Sequence, residues 1–190
     1  SRHCRMLDLD LSSFPALRTG RLVLRRLTLG DAAAIHSLRQ DPRTMEHIGR
    51  PLSTSLADAE DLIQRRENDR TNSQGISWGI ALHEGPELIG TVRYYRLKLD
   101  HHRGEIGYML SPDHWGKGLM SEALNAAVAC GFDRFHFHSI EAVTDPRNTR
   151  SRTLLERNGF ALEGLFKENY FWNGEFQDSA VYSLLASATR

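Results

Sequence analysis

The spacing of apolar and polar positions divides the chain into short strands and amphipathic helices. Arg21-Leu-Val-Leu-Arg-Arg-Leu27 predicts a first strand. Thr28-Leu-Gly-Asp31 has the form of a capping box and predicts a helix through about Gln40. Pro42 and Pro51 interrupt further helix, so residues 41–53 are expected to hold a loop or one short turn. Ser55-Leu-Ala-Asp58 is a second capping box, and Ala59, Leu62 and Ile63 line one face of the run to about Asp69. Strand-like runs follow at 75–83 and 88–97 around a Glu84-Gly-Pro-Glu87 turn, and 104–110 completes a meander. Residues 118–135 read as a helix with Leu119, Ala123, Ala126, Ala127 and Cys130 inward. Ser139–Thr144 is strand-like, and 148–158 is a helix stopped by Gly159. The tail from Phe160 to Leu185 is a hairpin about Asn173-Gly174. The order β α α β β β α β α β β is mixed α/β: about seven strands and about four helices.

Length and composition narrow the function classes. The 190 residues suit one domain, with residues 1–17 as an N-terminal extension and 18–186 as the folded unit. Lys+Arg and Asp+Glu are equal at 24 each, which gives no argument for nucleic acid or an anionic membrane as a partner. No apolar run approaches the ~20 residues of a membrane span, and residues 1–6 lack a signal-peptide core. Cys4 and Cys130 form no disulfide framework, so a reducing, cytoplasmic setting is expected. His136-x-His138 and the His101-His102 pair find no convergent partners, so no metal site is expected.

The most chemical segment is Glu105–Leu124, an apolar strand, then Trp115-Gly116-Lys117-Gly118-Leu119-Met120, then a helix. Backbone amides converging at a helix N-terminus suit a pyrophosphate. The loop is neither of the common nucleotide loops. Ser121 stands where a dinucleotide fingerprint needs its third glycine, and the Walker spacing is absent. Taken alone, the two glycines could equally serve only a tight turn.

The loop is accompanied, however. Leu110-x-Pro112, Trp115–Met120, Ser121-Glu-Ala, Asp145-Pro-Arg-Asn148-Thr-Arg-Ser151, Leu155-Glu-Arg-Asn-Gly-Phe160, Glu163-Gly164, Asn173-Gly174 and Asp178-x-x-x-Tyr182 follow one another in order, after the opening Thr19-x-Arg21-Leu-Val-Leu-Arg-Arg26. In that order and spacing the chain resembles the GNAT superfamily of acetyl-CoA-dependent N-acetyltransferases over roughly residues 18–185. Trp115 and Met120 depart from the superfamily's Gln/Arg-x-x-Gly-x-Gly/Ala loop. They resemble the branch of bacterial ribosomal-protein N-terminal (alanine/serine) acetyltransferases.

The resemblance implies a twisted, mostly antiparallel sheet with splayed middle strands and a site for acetyl-CoA. It implies cofactor contacts from Tyr108, Met109 and Leu110 on the strand, from Trp115, Gly116, Lys117, Gly118, Leu119, Met120 and Ser121 at the loop, and from Asn148 and Ser151. Glu105 is the implied base, although it stands one residue closer to Leu110 than the better-known catalytic glutamates, an offset that would turn it to the opposite face unless a bulge intervenes. Ser151 and Tyr170 are acid candidates, with Glu168 nearby. Asn148 would serve equally as a plain N-cap. Trp78, Tyr94 and Tyr95 read as core or cleft lining. Arg39, Arg43 and Arg50 could recognise an acidic substrate or be ordinary surface charges.

The resemblance implies a primary amine as acceptor, and direct attack in a ternary complex is expected, since neither cysteine is placed as a nucleophile. A protein N-terminus leads. A small amine such as an antibiotic or polyamine, a non-catalytic acyl-CoA sensor and a homodimer through an edge strand or the tail remain open at this stage.

Overall fold

The computed structural model describes residues 5–189. Eight strands form one sheet in the order β1-β2-β3-β4-β5-β6-β8-β7. They are β1 (Leu17–Arg18), β2 (Leu22–Arg26), β3 (Ile76–Leu82), β4 (Leu88–Lys98), β5 (Arg103–Leu110), β6 (Ser139–Thr144), β7 (Ala161–Trp172) and β8 (Glu175–Leu185). The helices are α1 (Ala32–Gln40), α2 (Pro42–Met45), α3 (Leu56–Thr71), α4 (Leu119–Asp133) and α5 (Thr149–Arg157). The eighth strand and fifth helix are the short β1 and the single turn α2, both too brief to carry a periodicity of their own. All pairings are antiparallel except β5 with β6.

Local signals are used as read. Asp31 closes the capping box at Thr28, its carboxylate accepting from the Thr28 amide at 2.8 Å. Asp41 caps α2, Ser55 caps α3 and Asn148 caps α5. Gly159 takes φ +87° after α5, and Asn173-Gly174 takes φ +51° and +81° between β7 and β8, as a type I′ hairpin requires.

Two apolar clusters flank the sheet. The larger lies under α4 and gathers Trp78, Tyr94, Phe135 and Phe137, whose rings meet at 5.2–6.3 Å. Tyr94 donates from its hydroxyl to the Ala127 carbonyl at 2.8 Å. Leu11 is 1% exposed in this cluster, and Arg70 donates to its carbonyl, so the segment ahead of β1 is docked on the domain. The smaller cluster joins α1 and α3 to the other face through Ile35, Leu38, Ala59, Ile63 and Ala81. Among the described residues no helix is long and apolar enough to cross a membrane.

The sheet opens at its middle. β5 pairs with β6 only at Arg103↔Ser139, Gly104↔Ile140 and Glu105↔Glu141, whereas its antiparallel ladder with β4 continues to Leu110. From Ile106 onward the β6-side edge of β5 therefore has no strand partner.

Candidate active site

The gap between β5 and β6 lies in a cavity of about 1280 Å³. Its walls come from β4, β5, the glycine loop, the N-termini of α4 and α5, the α1–α2 region and β7. Because side chains alternate along a strand, β5 presents two sets of groups. Glu105, Gly107 and Met109 share the face covered by α1 and α3, where Met109 packs. Ile106, Tyr108 and Leu110 share the face under α4.

Glu105 is 4% exposed and lines the cavity. Its register partner on β4 is Tyr95, so both side chains leave the sheet together. Arg96 reaches the Glu105 carboxylate at 3.4 Å. Burial, then the charge of Glu105, pushes the Tyr95 phenol up, so it stays a hydrogen-bond donor. The bulge raised by the sequence exists on the neighbouring strand, between Tyr95 and Lys98, where Arg96 takes φ +46°. Glu105 faces the cavity without any bulge in β5 itself.

On the opposite face the Tyr108 hydroxyl lies 2.6 Å from the Ser151 hydroxyl. Burial pushes the Tyr108 phenol up to about 12. Ser151 is 9% exposed at the first turn of α5, where its amide donates to Asn148 Oδ1 at 3.1 Å. Asn148 thus performs the plain capping role and thereby fixes Ser151 beside Tyr108. The sequence reading had Tyr108 only as a cofactor contact; its hydroxyl partner 43 residues away was the missing signal. Tyr170 stands elsewhere, on β7, against the 46–50 loop and close in charge terms to Asp145 and Arg147. Burial and the Asp145 carboxylate raise its phenol. Asp145 is 6% exposed; burial opposes its charge, but Arg147 grips it through both oxygens and keeps it below the ordinary carboxylate range. His47 lies 3.7 Å from it.

The glycine loop has an unusual backbone. Gly116 and Gly118 take φ +74° and +75°, which turns successive amides toward one side ahead of the 15-residue helix α4. A Cβ at Gly116 would meet nothing within 4 Å, so the glycine serves backbone conformation and open approach. Trp115 donates its indole N–H to the Leu110 carbonyl at 2.9 Å and carries the Arg150 guanidinium 3.3 Å above its ring. The Leu110 carbonyl thus holds the Trp115 ring against the end of β5. Leu119 turns its side chain into the core at 4% exposure, leaving its amide to the loop, while Met120 and Ser121 line the cavity. Ser121 accepts from Asn158 at 2.8 Å, tying α5 to α4.

Lys117 is exposed and outside the cavity wall; its contribution is its carbonyl, which accepts from Arg21 at 2.9 Å. Arg21 also pairs with Glu122 at 2.9 Å, and Glu122 accepts from Thr19 and the Arg21 amide. This clamp from the β1–β2 turn to the loop was not foreseen, because it joins residues a hundred positions apart. Cys130 is buried within α4, and burial pushes its thiol up to about 11. Cys4 lies outside the described residues. Among the described residues no group of three His, Cys, Asp or Glu could hold a metal.

A splayed parallel pair beside a strand–glycine-loop–helix is the arrangement expected for acyl-CoA. The sequence model of the acetyltransferase (GNAT) domain matches residues 21–161. The chain belongs to the GNAT acetyltransferase family. It is 36% identical over 172 residues, 90% of this chain and 97% of the relative, to the uncharacterized N-acetyltransferase YoaA of Bacillus subtilis (strain 168). It is 27% identical over 167 residues, 88% and 94% of the two chains, to spermidine N(1)-acetyltransferase of Vibrio cholerae. The solved structure of a proposed ribosomal-protein-serine acetyltransferase from Vibrio cholerae superposes with a TM-score of 0.80 at 25% identity, covering 90% of this chain and 98% of that one.

As a GNAT N-acetyltransferase the protein uses acetyl-CoA, and the residues present fit it. The free edge of β5 matches the amide-rich pantetheine arm, and the amides of 116–120 match its pyrophosphate.

Proposed function

We propose that this N-acetyltransferase acts on the N-terminal amine of a peptide or protein, by direct attack in a ternary complex. The observation that carries the mechanism is the division of β5: Glu105 on the α1/α3 face and the Tyr108–Ser151 pair on the other, at the place where the sheet splits. Acetyl-CoA supplies an activated thioester, whose C–S bond is exchanged for the C–N bond of the amide product. Backbone amides on the open edge of β5 polarise its carbonyl. Glu105 removes the ammonium proton and passes it to solvent through the cavity. Tyr108, with Ser151 behind it, gives a hydrogen bond and then a proton to the departing sulfur and recovers a proton from solvent. The second proton of the attacking nitrogen leaves by the same route as the first. The buried, weakly acidic Cys130 thiol supports direct attack over a covalent enzyme intermediate. It also fits a cytoplasmic setting.

The peptide reading is supported by the breadth of the cavity, which is bounded by the 46–50 loop and by Tyr170 and Trp172 of β7. A small amine such as spermidine is the competing acceptor, favoured by the relative of that name. A panel of N-terminal peptides, spermidine and other small amines, read by release of free coenzyme A thiol, tests the choice. Turnover of peptides above the small amines is expected; turnover of small amines alone would refute it.

A further inference from the structure

Several arginines in this fold are closely matched to carboxylates. Arg25 pairs with Asp31, Arg21 with Glu122, Arg70 with Glu67, Arg43 with Asp41 and Arg147 with Asp145, each at 2.6–2.9 Å. Three arginines on the acceptor side of the cavity are treated differently. Arg39 at the end of α1, Arg66 on α3 and Arg93 on β4 all line it and are half-buried. Among the described residues, Arg39 and Arg93 have no carboxylate within ion-pair distance, and Arg66 has only Asp69 at 3.9 Å. Arg93 instead lies with its guanidinium 4.0 Å over the Tyr95 ring.

Removing three like charges from water side by side is costly unless an opposite charge joins them. Burial and then mutual repulsion push Arg66 down to about 9, and burial leads the downward shifts of Arg39 and Arg93 as well. Planar guanidiniums from three separate elements line one cavity, and such groups bind a carboxylate or phosphate by paired hydrogen bonds.

The cluster is placed beside the chemistry. Arg93 pairs in register with Gly107, and Tyr95 with Glu105, so Arg93 and Glu105 project from the same face of adjacent strands, two residues apart. At ~3.3 Å per residue that is about 7 Å along the sheet. An extended peptide covers that distance in about two residues.

We propose that the acceptor carries a carboxylate or phosphate on the second or third residue behind its reactive amine, and that Arg39, Arg66 and Arg93 bind it. The inference rests on the peptide reading above and narrows it. A polyamine would bring ammonium groups against three guanidiniums, which this pocket opposes. Of the three arginines singled out in the sequence, only Arg39 belongs to the cluster. Arg43 is held by Asp41, and Arg50 turns to the Gly49 carbonyl.

Matched peptides differing only at residues 2 and 3 test it: Ala-Ala, Asp-Asp, Lys-Lys and phosphoserine at residue 2, with spermidine beside them, all read by thiol release. The acidic peptides are expected to exceed the neutral one about tenfold or more in kcat/KM, mainly through KM, with the lysine peptide and spermidine lowest. The phosphoserine and aspartate arms separate phosphate from carboxylate as the preferred group. In Arg66→Met and Arg93→Met the acidic-to-neutral ratio, taken within each variant, falls below about threefold. Thermal unfolding of both variants at or above the native midpoint is the second expectation, since removing an unmatched cation relieves repulsion. Equal use of acidic and neutral peptides, or an acidic preference surviving both substitutions, would overturn the inference and leave the peptide reading intact. Refusal of every peptide with turnover of spermidine would overturn both.

Discussion

Replacing Tyr108 with Phe removes one oxygen from the site and keeps the ring that fills the wall. In the native protein that oxygen sits 2.6 Å from Ser151 Oγ, and burial holds its proton by pushing the phenol up to about 12. A hydroxyl hydrogen bond to sulfur becoming a thiolate is charge-assisted, worth about 1.5–3 kcal/mol. At ~1.36 kcal/mol per decade, kcat falls about 10- to 150-fold. KM for acetyl-CoA moves less, because the interaction strengthens only as the C–S bond breaks. Ser151→Ala leaves the Tyr108 hydroxyl in place and removes a neutral partner worth about 0.5–1.5 kcal/mol, so kcat falls ~2- to 12-fold. The double variant falls little below Tyr108→Phe, since Ser151 acts through that hydroxyl. A phenol with so high a pKa is protonated throughout pH 6–10, so the Tyr108→Phe deficit is the same factor at every pH in that range. Single-turnover thiol release at saturating amine measures the chemical step directly. A Tyr108→Phe enzyme within about threefold of native, or a deficit that changes with pH, would refute the assignment.

Four further outcomes follow from the structure. Glu105→Gln keeps the shape of a 4% exposed side chain and removes the base; kcat/KM for the amine falls ~10²–10⁴-fold, while calorimetry shows the acetyl-CoA Kd within about twofold of native. At the loop, Gly118→Ala must hold φ +75°, at a cost of about 1–2 kcal/mol, and a Tm drop of ~2–8 °C accompanies weaker coenzyme A binding. Arg21→Ala, which frees the Lys117 carbonyl, raises the coenzyme A Kd more than Lys117→Ala does in the same titration. At Asp31, burial works against the charge, but Arg25 and the Thr28 amide together hold the carboxyl below its usual value. A depressed folded-state pKa stabilises above the unfolded value and is lost as pH falls through the folded one. Asp31→Asn therefore costs about 1–2 kcal/mol near neutrality, and its Tm deficit shrinks as the pH falls below the ordinary carboxylate value and through the lower folded-state one.

The elements that were legible in the sequence are those whose signal is local. Capping boxes at Thr28 and Ser55, the Asn173-Gly174 turn and the C′ glycine at 159 each place an element end within a residue or two. The glycine loop is local as well, so its place between β5 and α4 was legible in the sequence. Long-range partners were not. Arg21 with Glu122 and Tyr108 with Ser151 depend on how the sheet folds back, which no periodicity encodes. The arginine cluster is the extreme case. Arg39, Arg66 and Arg93 come from three elements, and two of them sit in segments that look merely solvated or merely strand-like.

Glu105 and Tyr108 also differ in a way that the alternation of β5 makes testable. Three residues apart, they project from opposite faces, so the strand itself lies between the proton acceptor and the proton donor. A direct relay from one to the other would have to run through the gap between β5 and β6. In the proposed mechanism the proton taken from the amine leaves by the α1/α3 side, and the proton given to sulfur comes from the α4/α5 side. Two groups that act at separate steps through separate media lose their contributions independently. The Glu105→Gln, Tyr108→Phe double variant should then show an additive free-energy loss in kcat/KM within about 0.5 kcal/mol, unlike the Tyr108 and Ser151 pair. A double variant no worse than Glu105→Gln alone would mean that the two form one proton path, and the division of labour across β5 would be wrong.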